Sequence, residues 1–191
     1  MVTFKTKVMT IKYRLIRVWD TLRYDLPRFI KNIWRFRKAM WQYRSYDPHG
    51  IYVLNNIGLS GIADHIEKYG YEVDESRLKK VAKMRRAAQL YKNFMEDNFV
   101  EQAEAELGEL IIRQFEFVPS DNCEDCFTLA DNDSPEEKAH NTAVFERSRE
   151  IEEQQWAELY EILKGQDYSK FDKDIEFYKQ FDGTGLRGWW N

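Results

Sequence analysis

The sequence predicts an all-α fold, a bundle of five or six helices with an acidic C-terminal half. Apolar residues recur at three- and four-residue spacing along most of the chain. Helix-start signals fall between those stretches, at Asp47-Pro48, Asp74 and Ser134-Pro135. Strand-like alternation is confined to a short candidate at Ile111–Val118.

Taken in order, Val8, Ile11, Leu15, Val18 and Leu22 form one stripe of a basic amphipathic helix over 8–24. Asp25 is placed to cap a second helix, with Pro27 in its first turn, where a missing amide costs nothing. That helix runs to about Arg44, and Phe29, Ile33, Phe36, Met40 and Tyr43 make its apolar wall. Arg37 and Arg44 lie along one edge of the wall, Trp34 and Trp41 just outside it, and Lys31, Arg35 and Lys38 on the far side. A third helix spans about 48–68 and stops at Gly70, with Gly58 and Gly61 suited to a close helix crossing.

A fourth helix follows Asp74 and buries Val81, Met84, Ala88, Tyr91 and Met95, leaving Lys79, Lys83 and Arg86 to solvent. Arg77 shares the apolar angle, with Arg85 bordering it farther along, so Arg77 requires a partner: Asp47 or Asp64, or a bound anion. From Asn98 the helix turns acidic, and 119–134 reads as a polar loop. Ser134-Pro-Glu-Glu starts a fifth helix reaching Leu163, with Gly165 beyond. A sixth segment carries Phe171, Ile175, Tyr178 and Phe181 before the terminal Trp189 and Trp190, which are expected to dock on the bundle or on another subunit. Three regions result: a basic and aromatic helical core (1–115), an acidic loop (116–134) and C-terminal helices packing on the core (135–191).

Net charge of −4 conceals a polarity. Residues 1–44 hold 12 Lys and Arg against two Asp, a balance of +10, residues 45–95 hold 8 against 6, and residues 96–191 hold 9 against 25, a balance of −16. The two ends can attract within one molecule or between copies packed head to tail, which lowers the expectation of nucleic-acid binding. No run approaches the 18 apolar residues of a membrane span, so a cytoplasmic protein with no membrane partner is expected. Two cysteines make no secreted-type framework, and Cys123 and Cys126 are expected as free thiols. A zinc site would need two more ligands, with His140 the nearest histidine and His49 and His65 remote.

Glu101/Glu104, Glu106/Glu109, Glu150/Glu153 and Glu158/Glu161 share helix faces and resemble the Mg²⁺ sets of all-helical nucleotide pyrophosphohydrolases, without the second-helix Glu-x-x-Asp of that class. With no phosphate loop or nucleophile motif, neither a catalytic residue nor a cofactor or metal is assigned. The binding candidates are Arg37, Trp41, Arg44, Tyr46, Asp47, Arg77 and Arg85. Arginines neutralise phosphates, Trp41 or Tyr46 stacks a base, and Asp47 orients a guanidinium or a sugar hydroxyl. The same residues also suit tryptophans that finish a core beneath cation–π cover.

The block Arg23-Tyr-Asp-Leu-Pro27, the run Trp41-Gln-Tyr-Arg-Ser-Tyr-Asp47, Glu67-Lys-Tyr-Gly70 before the Arg77 helix, and the closing Trp189-Trp190 resemble an uncharacterised group of small helical proteins of tailed bacteriophages. The likeness covers residues 10–95 and the last few, and departs at Asn191 and in the 120–134 loop. It implies a cytoplasmic setting in an infected host and no catalytic residues. The leading expectation is a non-catalytic accessory protein that binds a nucleotide-type ligand, which by analogy would counter host defence. The others are a protein-interaction or self-assembling module, homo-oligomeric and anchored by Trp, and a single-stranded nucleic-acid binder.

Overall fold

The computed structural model describes residues 13, 14, 16–113, 116–119, 126–130 and 132–189. Five substantial helices carry the fold: α1 (Leu26–Gln42), α2 (His49–Tyr69), α3 (Asp74–Glu96), α4 (Phe99–Leu107) and α5 (Pro135–Lys164). A hairpin of β1 (Phe117–Pro119) and β2 (Phe127–Leu129) precedes α5, and a one-turn helix, α6 (Phe177–Gln180), lies in the C-terminal tail.

The expected break at Asp25 is absent. Residues 13–14 and 16–20 are helical, Thr21–Asp25 form a π turn, and the chain passes directly into α1. Asp25 keeps a helical backbone and caps nothing, its carboxylate pairing with Arg28 at 2.7 Å. Inside an α-helix, Pro27 would remove one bond and collide with a carbonyl four residues back. The π turn, in which the Leu26 amide donates to the Thr21 carbonyl, supplies the extra residue that accommodates it.

At the next boundary the chain does turn. Tyr43 is extended, the Asp47 Oδ1 accepts from the His49 amide at 2.9 Å, and α2 begins. Gly70 ends α2 in extended backbone (φ −64°, ψ 138°), where a Cβ would strike the Ile66 carbonyl and Arg77.

The core lies along α3, against which α2 packs as an antiparallel neighbour. Leu59, Ala63 and Ile66 from α2 meet Val81, Met84, Ala87, Ala88 and Leu90 from α3. Ala63 and Ala87 are small and fully buried in this core, whereas Gly58 faces open space and Gly61 admits the Arg35 guanidinium from α1. Asn56 Nδ2 donates to the Ala88 carbonyl at 2.7 Å, crosslinking the pair.

Helix α5 starts on a capping box between Ser134 and Glu137 with Pro135 in the first turn, and stops where Gly165 takes φ +78°. It packs beside α2 on α3, with Tyr52 of α2, Phe94 of α3 and Trp156 of α5 in mutual contact. Asn93 donates to Gln155 at 2.8 Å, Gln155 to Gln102 at 2.9 Å, and Arg86 grips Glu158 through two bonds of 2.6 and 2.7 Å. Phe94 stacks on Trp156 with centroids 4.1 Å apart. The lysine and arginine face of α3 assigned to solvent is therefore partly covered, by α5 and by the tail.

The sixth segment forms short pieces, α6 between 3-10 turns at Tyr168–Lys170 and Leu186–Gly188. It is held where Lys79 Nζ reaches the Tyr178 carbonyl (3.0 Å), Gly183 (φ +90°) lies against the Lys79 backbone, and the Gly185 amide donates to the Ile162 carbonyl (2.8 Å). Trp189 is buried and donates Nε1–H to the Gly183 carbonyl at 2.8 Å. Trp190 lies outside the described residues. Among the described residues no helix is long and apolar enough to cross a membrane.

Candidate functional sites

Two places merit attention, an open helix face and a cavity. On α1, contact with α2 runs through a flank of the apolar wall. Ala39 is buried, Phe36 half-buried, and the Tyr43 ring lies on Gly50. The rest of the wall is left open together with the residues beside it: Leu26, Phe29, Ile30, Ile33, Trp34, Met40 and Trp41 are all exposed, Phe29 at 60% and Trp41 at 86%. At ~150–250 Å² per aromatic side chain, the seven present on the order of 800 Å². Folded monomers rarely expose contiguous apolar patches above about 300–600 Å². The expectation that this stripe is a core wall is thereby corrected. Among the described residues helix α1 has one main neighbour, α2, whose buried Leu59, Ala63 and Ile66 pack toward α3.

The predicted binding residues separate by partner. Arg37 spans the Trp34 indole at 5.0 Å and donates to the Trp34 carbonyl. Arg44 donates to the carbonyls of Trp41 and Tyr43 at 3.3 and 3.2 Å. Both guanidiniums are exposed and free of described carboxylates. Trp41 and Tyr46 are exposed as well, and Asp47 accepts from the His49 amide at the start of α2.

By contrast, Arg77 and Arg85 are matched to the protein's own acceptors. Arg77 bonds the Gly70 carbonyl (3.0 Å) and Asp74 (2.7 Å), leaving its buried Nε without a partner. Arg85 holds Glu67 at 2.6 Å and Asp64 at 3.4 Å, and those carboxylates raise its pKa. The anticipated Asp64 pair is thus made by Arg85 rather than Arg77. Nothing gathers the four arginines on one cavity.

A cavity of 590 Å³ opens instead between the start of α3 and the tail. Tyr168, Phe177 and Phe181 wall it, and Lys80, Glu72 and Arg187 bring charge to its lining. Lys80 is 3% exposed and its ammonium donates to the Glu72 carboxylate. Burial raises the pKa of the Tyr168 hydroxyl, with Asp182 adding to the effect. Sequence reasoning missed this place, yet one signal was available. Lys80 sits one turn before Met84 and one after Ser76, on the buried stripe. The aromatic wall gave no signal, because it arrives from about 90 residues downstream.

Several of the paired carboxylates are occupied. Glu106 and Glu150 hold Arg147 at 2.6 and 3.0 Å, Glu158 holds Arg86, and Glu104 accepts from the Leu110 amide at 2.9 Å. Among the described residues no group of three His, Cys, Asp or Glu is placed to hold a metal. Cys126 is disulfide-bonded, which corrects the free-thiol expectation there, and Cys123 is outside the described residues. The His140 ring bonds the Glu109 carbonyl at 3.0 Å. In comparisons with known proteins, no family model, curated protein or solved structure matches the chain.

Proposed function

We propose that this chain is a non-catalytic interaction module that docks the open face of α1 on a carboxylate-rich protein surface, and that a second copy's acidic half supplies that surface. The observation carrying this reading is the exposed seven-residue apolar face. Its estimated area is about one partner's share of a standard protein interface, near 800 Å². Tryptophan and arginine, the residues most enriched among interface anchors, stand on it together.

Charge selects the partner. From Tyr13 to Arg44 the chain carries nine Lys and Arg against Asp20 and Asp25, so two α1 helices laid side by side would repel. On α5, Glu146, Glu152 and Glu153 are exposed and have no described ion pair, in the company of exposed Phe145 and Tyr160. A head-to-tail contact between α1 and that helix matches both charge and apolarity.

Sedimentation across a concentration series tests this. Association that weakens with added salt and disappears in a Phe29→Glu/Ile33→Glu variant is the expected result. A protein monomeric at every concentration and salt would remove self-assembly. A second reading, nucleotide binding on α1, rests on the two guanidiniums of Arg37 and Arg44, each bonded to backbone carbonyls beside an exposed indole. A nucleotide panel that raises the melting temperature, with loss of the shift in Arg37→Gln/Arg44→Gln, would favour it.

A further inference from the structure

We infer that the cavity between α3 and the tail is a binding site for a small, uncharged aromatic molecule bearing one carbonyl acceptor. Its 590 Å³ lies within the usual range of ligand cavities, about 300–1,000 Å³. Such cavities pair an apolar wall with a few convergent polar groups. Phe177 and Phe181 stack with centroids 5.2 Å apart and Tyr168 meets Phe177 edge-on at 5.8 Å, so the wall is a cluster of rings. Another flat ring extends such a cluster through the same offset and edge contacts. Val73 and Phe177 are exposed on this lining whereas Phe181 and Lys80 are buried, so an apolar mouth leads to a floor that holds one charged donor.

Lys80 determines both the ligand's charge and its polar group. Its ammonium is matched by the Glu72 carboxylate, so the pair carries no net charge. A charged ligand would be stripped of water beside a pair that is already balanced, with nothing to offset the loss. Arg187 is on the exposed side of the lining, where water screens its charge, and it has interactions of its own in the protein. An ammonium nevertheless carries three donors, and Glu72 is the one acceptor described for that of Lys80. A carbonyl oxygen accepts from it without adding charge. A hydroxyl fits less well, because its own proton would need an acceptor among the rings.

The probes are acetophenone and ethylbenzene, which matches its shape without the carbonyl, with benzoate and benzylammonium as charged counterparts. Titrations are followed by amide shifts in the full chain. Acetophenone should bind saturably, with shifts grouped at Ser76, Lys80, Tyr168 and Phe181. It should bind about tenfold more tightly than ethylbenzene, the scale of a hydrogen bond from a charged donor, and more tightly than either charged probe. Lys80→Met should bring acetophenone to the affinity of ethylbenzene while moving ethylbenzene by less than about twofold.

Val73→Trp, at the exposed rim, should weaken both neutral probes. If Lys80→Met does not fold, the ratio of acetophenone to ethylbenzene affinity in the unmodified chain and the effect of Val73→Trp decide the matter. Shifts grouped on α1, the absence of saturable binding, equal affinity for the two neutral probes, or tighter binding of benzoate than of acetophenone would each overturn the proposal.

Discussion

Truncating Phe29 to alanine separates the open-face reading of α1 from the core-wall reading. A phenylalanine presents roughly 200 Å² of side chain. With 60% of Phe29 exposed, about 80 Å² is covered, worth about 2 kcal/mol at 25 cal/mol per Å². That figure is an upper bound, because the unfolded chain already hides part of the ring, and about 1 kcal/mol is the expected cost. Met84, with no exposed surface, is the control: Met84→Ala should cost about 2–5 kcal/mol, the loss of a packed side chain plus the cavity it leaves. Both are measured by urea denaturation at a concentration too low for association, comparing midpoints at constant slope. The same Phe29→Ala protein should associate about tenfold more weakly at higher concentration. A loss of 3 kcal/mol or more for Phe29→Ala in the monomer would refute the reasoning, because it would mean the ring is packed in a core.

Three further outcomes follow from other parts of the fold. Gly183→Ala places a methyl group against the Lys79 carbonyl at a left-handed φ of +90°, so it should release the tail from α3. Faster amide exchange over 178–189, with unchanged exchange in the α2–α3 core, checks it. Arg113 and the Ser134 cap hold the Glu137 carboxyl down at about 2, against an ordinary value of 4.5. The ionised form is thus favoured in the folded state, and its contribution is present above about pH 4.5 and lost as pH falls toward about 2. Protection of the first-turn amides of α5, measured against their intrinsic exchange rates, should fall over that window in the native protein and stay flat in Glu137→Gln. Finally, a double-mutant cycle on Arg86 and Glu158 should return a coupling below about 1 kcal/mol despite its two short bonds, since both side chains remain about 40–50% exposed. Coupling of several kcal/mol would show a desolvated pair.

Local chemistry in the chain was enough to define the helices where a signal acts within one turn. Ser134, Pro135 and Glu137 start α5, Asp47 starts α2, and the Val81, Met84 and Ala88 stripe marks the buried side of α3, all from neighbours within a few residues. Two local readings failed for the same reason. Asp25-Pro27 has the letters of a helix start, and a π turn let the helix run through it instead. The Phe29, Ile33 and Met40 stripe has the spacing of a core wall, but spacing reports only that a face is apolar, not what covers it.

Partnership was decided by the tertiary structure. Asp64 went to Arg85, Arg77 turned to Asp74 and the Gly70 carbonyl, and Lys80 entered a cavity completed by rings far away in the chain. Periodicity sets the angle at which a side chain leaves its helix, whereas the acceptor it meets depends on how helices cross and where the tail returns. Those contacts join residues too distant in sequence for any short-range pattern to encode.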